Sequence, residues 1–377
     1  VEAEFDTAGV HPEQRTLAER FTSVFLFGPP MSPELLELVC HLFTPGEARI
    51  AKSLPLYIPR PLEKIARRAR MMPEDIRDVL ESMAEKKVIF GSDRGYSLLP
   101  LIPGMFEYLL MNGNDSPWHR RYGRLINALY ATGYTRQYST TSAPVIRNIP
   151  VEAVVESKSL LVDADLMSRM IDAHDLMGVL HVCQCRQSHV FFGHVCKRSH
   201  QDDGCLVFGS FAEGIEERGS GRLVSREEMR KIVRERWDKN LVFMTANLVP
   251  SQANAICTCC DCCCHYVQFI NHYGGMASFT SPHFRASVDP HLCNECGRCI
   301  RVCNTHAHAM EGKKHIYDAA KCIGCGLCIK ACPKHAVTLK VNPGYRQPSR
   351  DWLRLALRIL PKSLLSFIRV AFARKTA

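Results

Sequence analysis

Residues 293–333 read CNECGRCIRVCNTHAHAMEGKKHIYDAAKCIGCGLCIKACP. Cys293, Cys296, Cys299 and Cys303 follow the spacing C-x2-C-x2-C-x3-C. Cys322, Cys325, Cys328 and Cys332 repeat it 29 residues on, with Pro333 directly behind. One such spacing used twice predicts two [4Fe–4S] clusters. Three thiolates on a tight loop reach three iron corners of a cube, and the fourth cysteine starts a helix that leads away. Gly297 and Gly326, each directly after the second cysteine of its run, let the backbone pass close to inorganic sulfur. Zinc also uses C-x2-C pairs, but it takes two pairs at longer separations rather than four cysteines per run.

This segment, residues 286–342, resembles the two-cluster ferredoxins of bacteria. The resemblance implies that one cluster takes Cys293, Cys296, Cys299 and Cys332, and the other Cys322, Cys325, Cys328 and Cys303. It also implies a proline after each fourth cysteine. Pro333 fits, whereas Asn304 stands in the other place, a departure that touches the turn rather than a ligand.

The chain has 377 residues and 19 cysteines, enough length for two or three domains with their own cores. Every cysteine except Cys40 lies between Cys183 and Cys332. A disulfide scaffold spreads its cysteines through a small domain; runs of C-x2-C and CC point to soft-metal ligation in a reducing cytoplasm. The first residues, VEAEFDTAGVHPEQR, are acidic and mixed, which predicts no secretory leader. No run of about 18 uncharged apolar residues predicts a membrane span.

A second cysteine region precedes the ferredoxin-like segment. Cys183-Gln184-Cys185-Arg186, Cys196 and Cys205 come first, then Cys257, Cys259, Cys260, Cys262, Cys263 and Cys264. Adjacent cysteines point different ways, so the CC pairs are expected to serve two metal centres rather than one. Ten cysteines suffice for two further cubanes. Three readings stay open: one or two more [4Fe–4S] clusters, an unusual catalytic cluster with an open iron, or zinc. Arg186 is placed to bond cluster sulfide or to offset its charge. The region resembles large anaerobic iron–sulfur proteins in which a C-x-C-R segment precedes a cysteine-dense run and a C-terminal ferredoxin. His174 and His181 are candidate ligands by residue type alone.

Upstream, helices are expected over Pro33–Phe43, Glu47–Lys52, Pro61–Ala69 and Pro73–Glu85. A hairpin follows, turning at Gly91-Ser92-Asp93-Arg94-Gly95. Helices followed by a hairpin resemble the order of a winged helix. The last helix carries Glu74, Asp75, Asp78, Glu81 and Glu85 against a lone Arg77, so nucleic acid is not the expected partner. Beyond it, Trp118–Tyr134 predicts a helix, Val145–Glu156 and Met177–Val182 predict strands, and Asp163 is a candidate cap for a helix reaching His174. Ser225 with Glu228 forms a capping-box pattern for a helix to Asp238.

The tail holds eight Lys/Arg and one acid in residues 346–377, which accounts for +7 of the net +10. Arg350, Arg354, Arg358 and Lys362 recur every fourth residue, Trp352 and leucines cover the other faces, and Pro361 is expected to break or kink the helix. Such a helix suits a membrane surface, a groove on a partner, or this chain's own body.

The class that emerges is α+β and multidomain. Its parts are a winged-helix-like docking domain (1–110), a cysteine-rich α/β middle (111–285), the dicluster segment (286–342) and the basic tail (343–377). No G-x-G-x-x-G, no P-loop and no C-x-x-C-H occurs, so nucleotide, flavin and covalent haem sites are not expected. The expected function is one-electron transfer within an anaerobic oxidoreductase complex, with redox partner proteins such as a flavoprotein subunit. A redox-sensing transcription regulator and a reductase with a catalytic cluster are the competing classes.

Overall fold

A computed structural model describes residues 5–139, 144–151 and 166–376. The chain divides into one unit of residues 1–137, 187–194 and 367–377, and another of residues 138–186 and 195–366.

The first unit is built from α1 (Pro12–Phe21), α2 (Pro33–Leu42), α3 (Pro45–Ala51), α4 (Leu62–Ala69), α5 (Pro73–Glu85), the strands β1 (Phe90–Ser92) and β2 (Gly95–Ser97), α6 (Phe106–Leu110) and α7 (Pro117–Ala131). Proline opens α1, α2, α3, α5 and α7, where its fixed φ suits the first turn and its missing N–H costs nothing. Thr44 and Glu47 close a reciprocal capping box on α3. Helix α5 buries Ile76, Leu80 and Met83 and leaves all five of its acids exposed. In the hairpin Gly91 pairs with Tyr96 and Ser92 with Gly95. The turn is therefore the two residues Asp93-Arg94, tighter than the five-residue turn the sequence suggested. Arg60 bridges Tyr96 at the outer edge of β2.

The second unit holds β3 (Ile146–Asn148), α8 (Met167–Asp172), β4 (Met177–Leu180), α9 (Gln184–Val190, which leaves the unit after Arg186), β5 (Leu206–Phe208), β6 (Gly221–Leu223), α10 (Arg226–Asp238), β7 (Val242–Ala246), β8 (Ala255–Cys259) and α11 (His265–Tyr273). Its six strands lie in the order β3-β7-β8-β5-β4-β6, and every pairing is antiparallel. The expected α/β middle is thus α+β: neighbours such as β7 and β8 are joined without a crossover helix. Asp163 and residues 152–156 lie outside the described residues. Ser225 caps α10 through the Glu228 N–H at 3.1 Å, but the Glu228 carboxylate pairs with Arg222 at 2.7 Å instead of closing the box.

Alternation along β7 sorts the two faces of the sheet. Phe243 joins Met167, Met170 and Ile171 of α8 and Met229 and Val233 of α10 on one face. Val242 and Met244 turn to the other, where Val267 and Ile270 of α11 pack with Ile323 and Leu327. Those last two belong to the cysteine-rich segment, so this face of the sheet is the floor on which it sits.

That segment contains β9 (Phe284–Val288), α12 (Arg298–Val302), β10 (His308–Glu311), β11 (Lys314–Tyr317), α13 (Leu327–Ala331) and β12 (Val337–Val341). Strands β9 and β12 pair antiparallel, as do β10 and β11. Helix α14 (Trp352–Thr376) follows and runs through Pro361 without the expected break. Leu353, Leu357, Leu360 and Leu365 are exposed along it. At its far end the Phe367 ring meets Phe25 and Phe27, each at 5.3 Å between centroids, and Arg374 bonds Gln137 and the Thr22 and Gly28 carbonyls. The last turns of the tail therefore lie on the chain's own N-terminal unit. Among the described residues no helix is long and apolar enough to cross a membrane.

Candidate metal centres

The two halves of the ferredoxin-like segment repeat their geometry at the 29-residue offset of their sequence. Gly297 and Gly326 adopt φ of 69° and 77°, the left-handed region that glycine tolerates, and open α12 and α13. The Ala307 N–H donates to Cys303 Sγ at 3.2 Å, and the Ala336 N–H to Cys332 Sγ at 3.3 Å. Backbone donors at the sulfur favour the thiolate over the thiol.

Two cavities result. Cys293, Cys296, Cys299 and Cys332 line the first, with Gly297; Cys303, Cys322, Cys325 and Cys328 line the second, with Gly326. The fourth cysteine of each run has crossed to the other cavity. Apolar walls of Val288 and Val337 on one side, and Ile323, Leu327 and Leu339 on the other, limit water at both. A donor set of four thiolates in an apolar bowl with inward N–H groups fits a [4Fe–4S] cube.

The ten upstream cysteines separate into six and four. In the larger set sulfur contacts run in a row from Cys183 to Cys185, Cys264, Cys259, Cys257 and Cys205, the last pair at 3.8 Å. Cys257 and Cys259 share one face of β8, and Cys264 is the residue that opens α11. In the smaller set the sulfurs of Cys196, Cys260, Cys262 and Cys263 all lie within 4.8 Å of one another. The backbone turn after β8 sends Cys259 to one set and Cys260 to the other, and Cys263 and Cys264 divide the same way. The CC pairs do serve two groups.

Arg186 is buried against these sulfurs rather than lying at the surface. Its Nη1 donates to the Asp203 carbonyl at 2.9 Å and its Nη2 to the Thr258 carbonyl at 2.6 Å. Burial weakens its charge, but nearby Cys183, Cys260, Cys196 and Cys259 outweigh that and hold it protonated. A hydrogen bond from Cys185, aided by the Arg186 charge, lowers the Cys183 thiol to about 7 despite its burial. Arg236 of α10 is also buried, donating to the Gly204 carbonyl and lying 3.8 Å from Asp203. Neither Nε makes a hydrogen bond among the described residues. Buried guanidinium groups require anions beside them. Asp203 supplies one beside Arg236, and Cys183, Cys260, Cys196 and Cys259 lie close enough to Arg186 to favour its charge.

Sequence reasoning missed Arg236 and Asn304. Arg236 had a legible signal, since it continues the buried i, i+4, i+7 stripe of Met229 and Val233 where an apolar residue belongs. Asn304 was visible only as a missing proline. Its side chain is buried, accepts from the Asp261 N–H at 3.0 Å, and donates to the Asn240 and Val302 carbonyls at 3.0 and 3.3 Å. It ties the residue after Cys303 to the loop between Cys260 and Cys262. His174 and His181 join neither group. His174 Nε2 is 2.9 Å from the Pro250 carbonyl and packs on Phe208, while His181 is exposed.

Residues 292–336 match the family model described as a 4Fe-4S dicluster domain. No curated protein matches the chain. The C-terminal segment is thus a ferredoxin-type dicluster domain of the iron–sulfur class.

Proposed function

We propose that this protein transfers single electrons as a multi-centre iron–sulfur subunit of an oxidoreductase complex. The observation that carries the reading is the crossed convergence of eight cysteines on two neighbouring cavities, with six more around Arg186 and Arg236 in the same unit. When bound, [4Fe–4S] clusters supply one-electron redox chemistry. The chain's own part is to hold them with thiolates, exclude water with the apolar walls, and aim backbone N–H groups at sulfur. Around the six-cysteine set, two buried guanidinium groups offset negative charge, which favours the reduced state of an iron–sulfur centre there.

The N-terminal helices and hairpin, with the edge bridge at Arg60, follow winged-helix order. We assign that unit to protein docking, because the solvent face of α5 presents five acids to anything approaching it. The exposed leucines and arginine stripe of the first half of α14 suit a partner protein or an anionic membrane surface. A flavoprotein or another redox subunit fits as electron donor or acceptor, since the chain shows no nucleotide-binding motif of its own.

The test is anaerobic purification from iron-supplemented cells, with iron and acid-labile sulfide counted per chain and EPR of the reduced protein. More than about eight irons, with signals of interacting [4Fe–4S]⁺ centres, is the expected result. Fewer than about eight in intact, reconstituted protein refutes the reading. Liposome flotation with and without anionic lipid separates the two roles of the tail.

A further inference from the structure

We infer that Cys196, Cys260, Cys262 and Cys263 form a closed, structural site for a single zinc ion, separate from every iron–sulfur centre of the chain. The reason is the spacing of the sulfurs. Around a cube each thiolate binds a different iron, which sets neighbouring cysteine sulfurs about 6 Å apart. Four thiolates on one ion with bonds of about 2.3 Å form a tetrahedron with edges of about 3.8 Å. Here Cys196 lies 3.7 Å from Cys260 and 3.6 Å from Cys262, and Cys262 lies 3.6 Å from Cys263. In the six-cysteine row single pairs also touch, as Cys205 and Cys257 do at 3.8 Å. What sets this group apart is that all four sulfurs lie within 4.8 Å of one another, gathered on one point as a single tetrahedral ion requires.

The surroundings are built to hold that geometry. The Lys197 N–H donates to Cys262 Sγ at 3.4 Å. Arg198 grips Asp261 with two bonds, 2.7 and 3.0 Å, which clamps the Cys196 loop onto the run of residues 260–263. Gln268 donates to the Cys262 carbonyl at 3.1 Å, and Asn304 holds the Asp261 N–H. Four thiolates and one divalent ion carry a net charge of −2, and Arg198 lies beside them, drawn toward Cys260 and Cys262. All four positions of the tetrahedron are filled by protein, as in structural rather than catalytic zinc sites. Zinc also outranks ferrous iron for a set of donors that does not enforce a cluster. The site would pin a loop 64 residues distant in sequence (Cys196 to Cys260) beside the dicluster domain.

The test uses the full chain, purified anaerobically from iron-supplemented cells so that zinc does not substitute for scarce iron. Metal analysis should give about one zinc per chain, and zinc K-edge EXAFS four sulfurs at about 2.3 Å with no metal–metal scattering. Cys196→Ser and Cys262→Ser should lose the zinc while the EPR signals of the dicluster domain persist. Wild-type EXAFS needs no variant, so the inference remains testable if the variants misfold. Absence of zinc, zinc with nitrogen or oxygen ligands, or a lone iron with four sulfurs at this site would each overturn it. The electron-transfer reading stands or falls separately, on the iron count and the EPR signals.

Discussion

Asn304 offers the sharpest test of how the dicluster domain is fastened to the middle cysteine run. Replacing it with alanine removes three side-chain hydrogen bonds, to the Asp261 N–H, the Asn240 carbonyl and the Val302 carbonyl. The Val302 carbonyl is only two residues away and the bond is long, so its loss should matter little. The other two bonds join distant segments at 3.0 Å each, and Asn304 itself is 1% exposed. Losing each costs about 1–1.5 kcal/mol when the partner is left poorly solvated, or about 2–3 kcal/mol together. That corresponds to a rise of roughly 30- to 160-fold in the local opening equilibrium. Hydrogen exchange read by mass spectrometry on peptides spanning residues 257–264 should show the Asp261 amide exchanging faster by this factor. The iron content should be unchanged, because no ligand is touched. Asn304→Asp retains the acceptor for Asp261 and should protect that amide while freeing the Asn240 side. A change of less than about threefold in Asn304→Ala would show that the bonds are incidental and that the domain is held by apolar packing alone.

Three further outcomes follow from the same structure. If the fourth cysteines cross over, Cys293→Ser with Cys332→Ser damages one cluster and leaves about four irons in the dicluster domain, whereas Cys293→Ser with Cys303→Ser damages both. Iron analysis and EPR of the two double variants distinguish these arrangements directly. Arg186→Met removes one of the two buried cations of the six-cysteine set and should weaken metal retention there, since removing one member of a buried charge pair costs about 3–5 kcal/mol. The dicluster signals should survive. In the N-terminal unit, burial raises the Glu47 carboxyl, but hydrogen bonds from Lys86 and Thr44 outweigh it and hold the group below its usual range. A depressed carboxylate contributes stability above its unfolded value of about 4.3, and the contribution is lost as pH falls through the folded value. Glu47→Gln should therefore open the Pro45–Ala51 helix faster than wild type at neutral pH, measured by hydrogen exchange at matched pH. The difference should shrink below about pH 4.

The sequence by itself determined the local elements and the dicluster motif, because both depend on neighbours along the chain. Prolines at helix starts, the Ile76-Leu80-Met83 stripe and the twofold cysteine spacing act over a few residues, and they appear in the structure where the spacing put them. The CC pairs also showed that two sulfur groups exist, since adjacent side chains diverge. Only the tertiary structure decided which sulfurs meet. Cys196 reaches Cys260 because an ion pair of Arg198 with Asp261 closes a long loop, and no periodicity records such a closure. Arg186 becomes a buried counter-charge because carbonyls 17 and 72 residues away accept its hydrogens. Asn304 looked like a turn residue lacking its proline; in space it is a tether, and its partners lie 43 and 64 residues away. Long-range pairings are set by how the sheet stacks against the dicluster domain, so the division of ten thiols into six and four is a property of the fold.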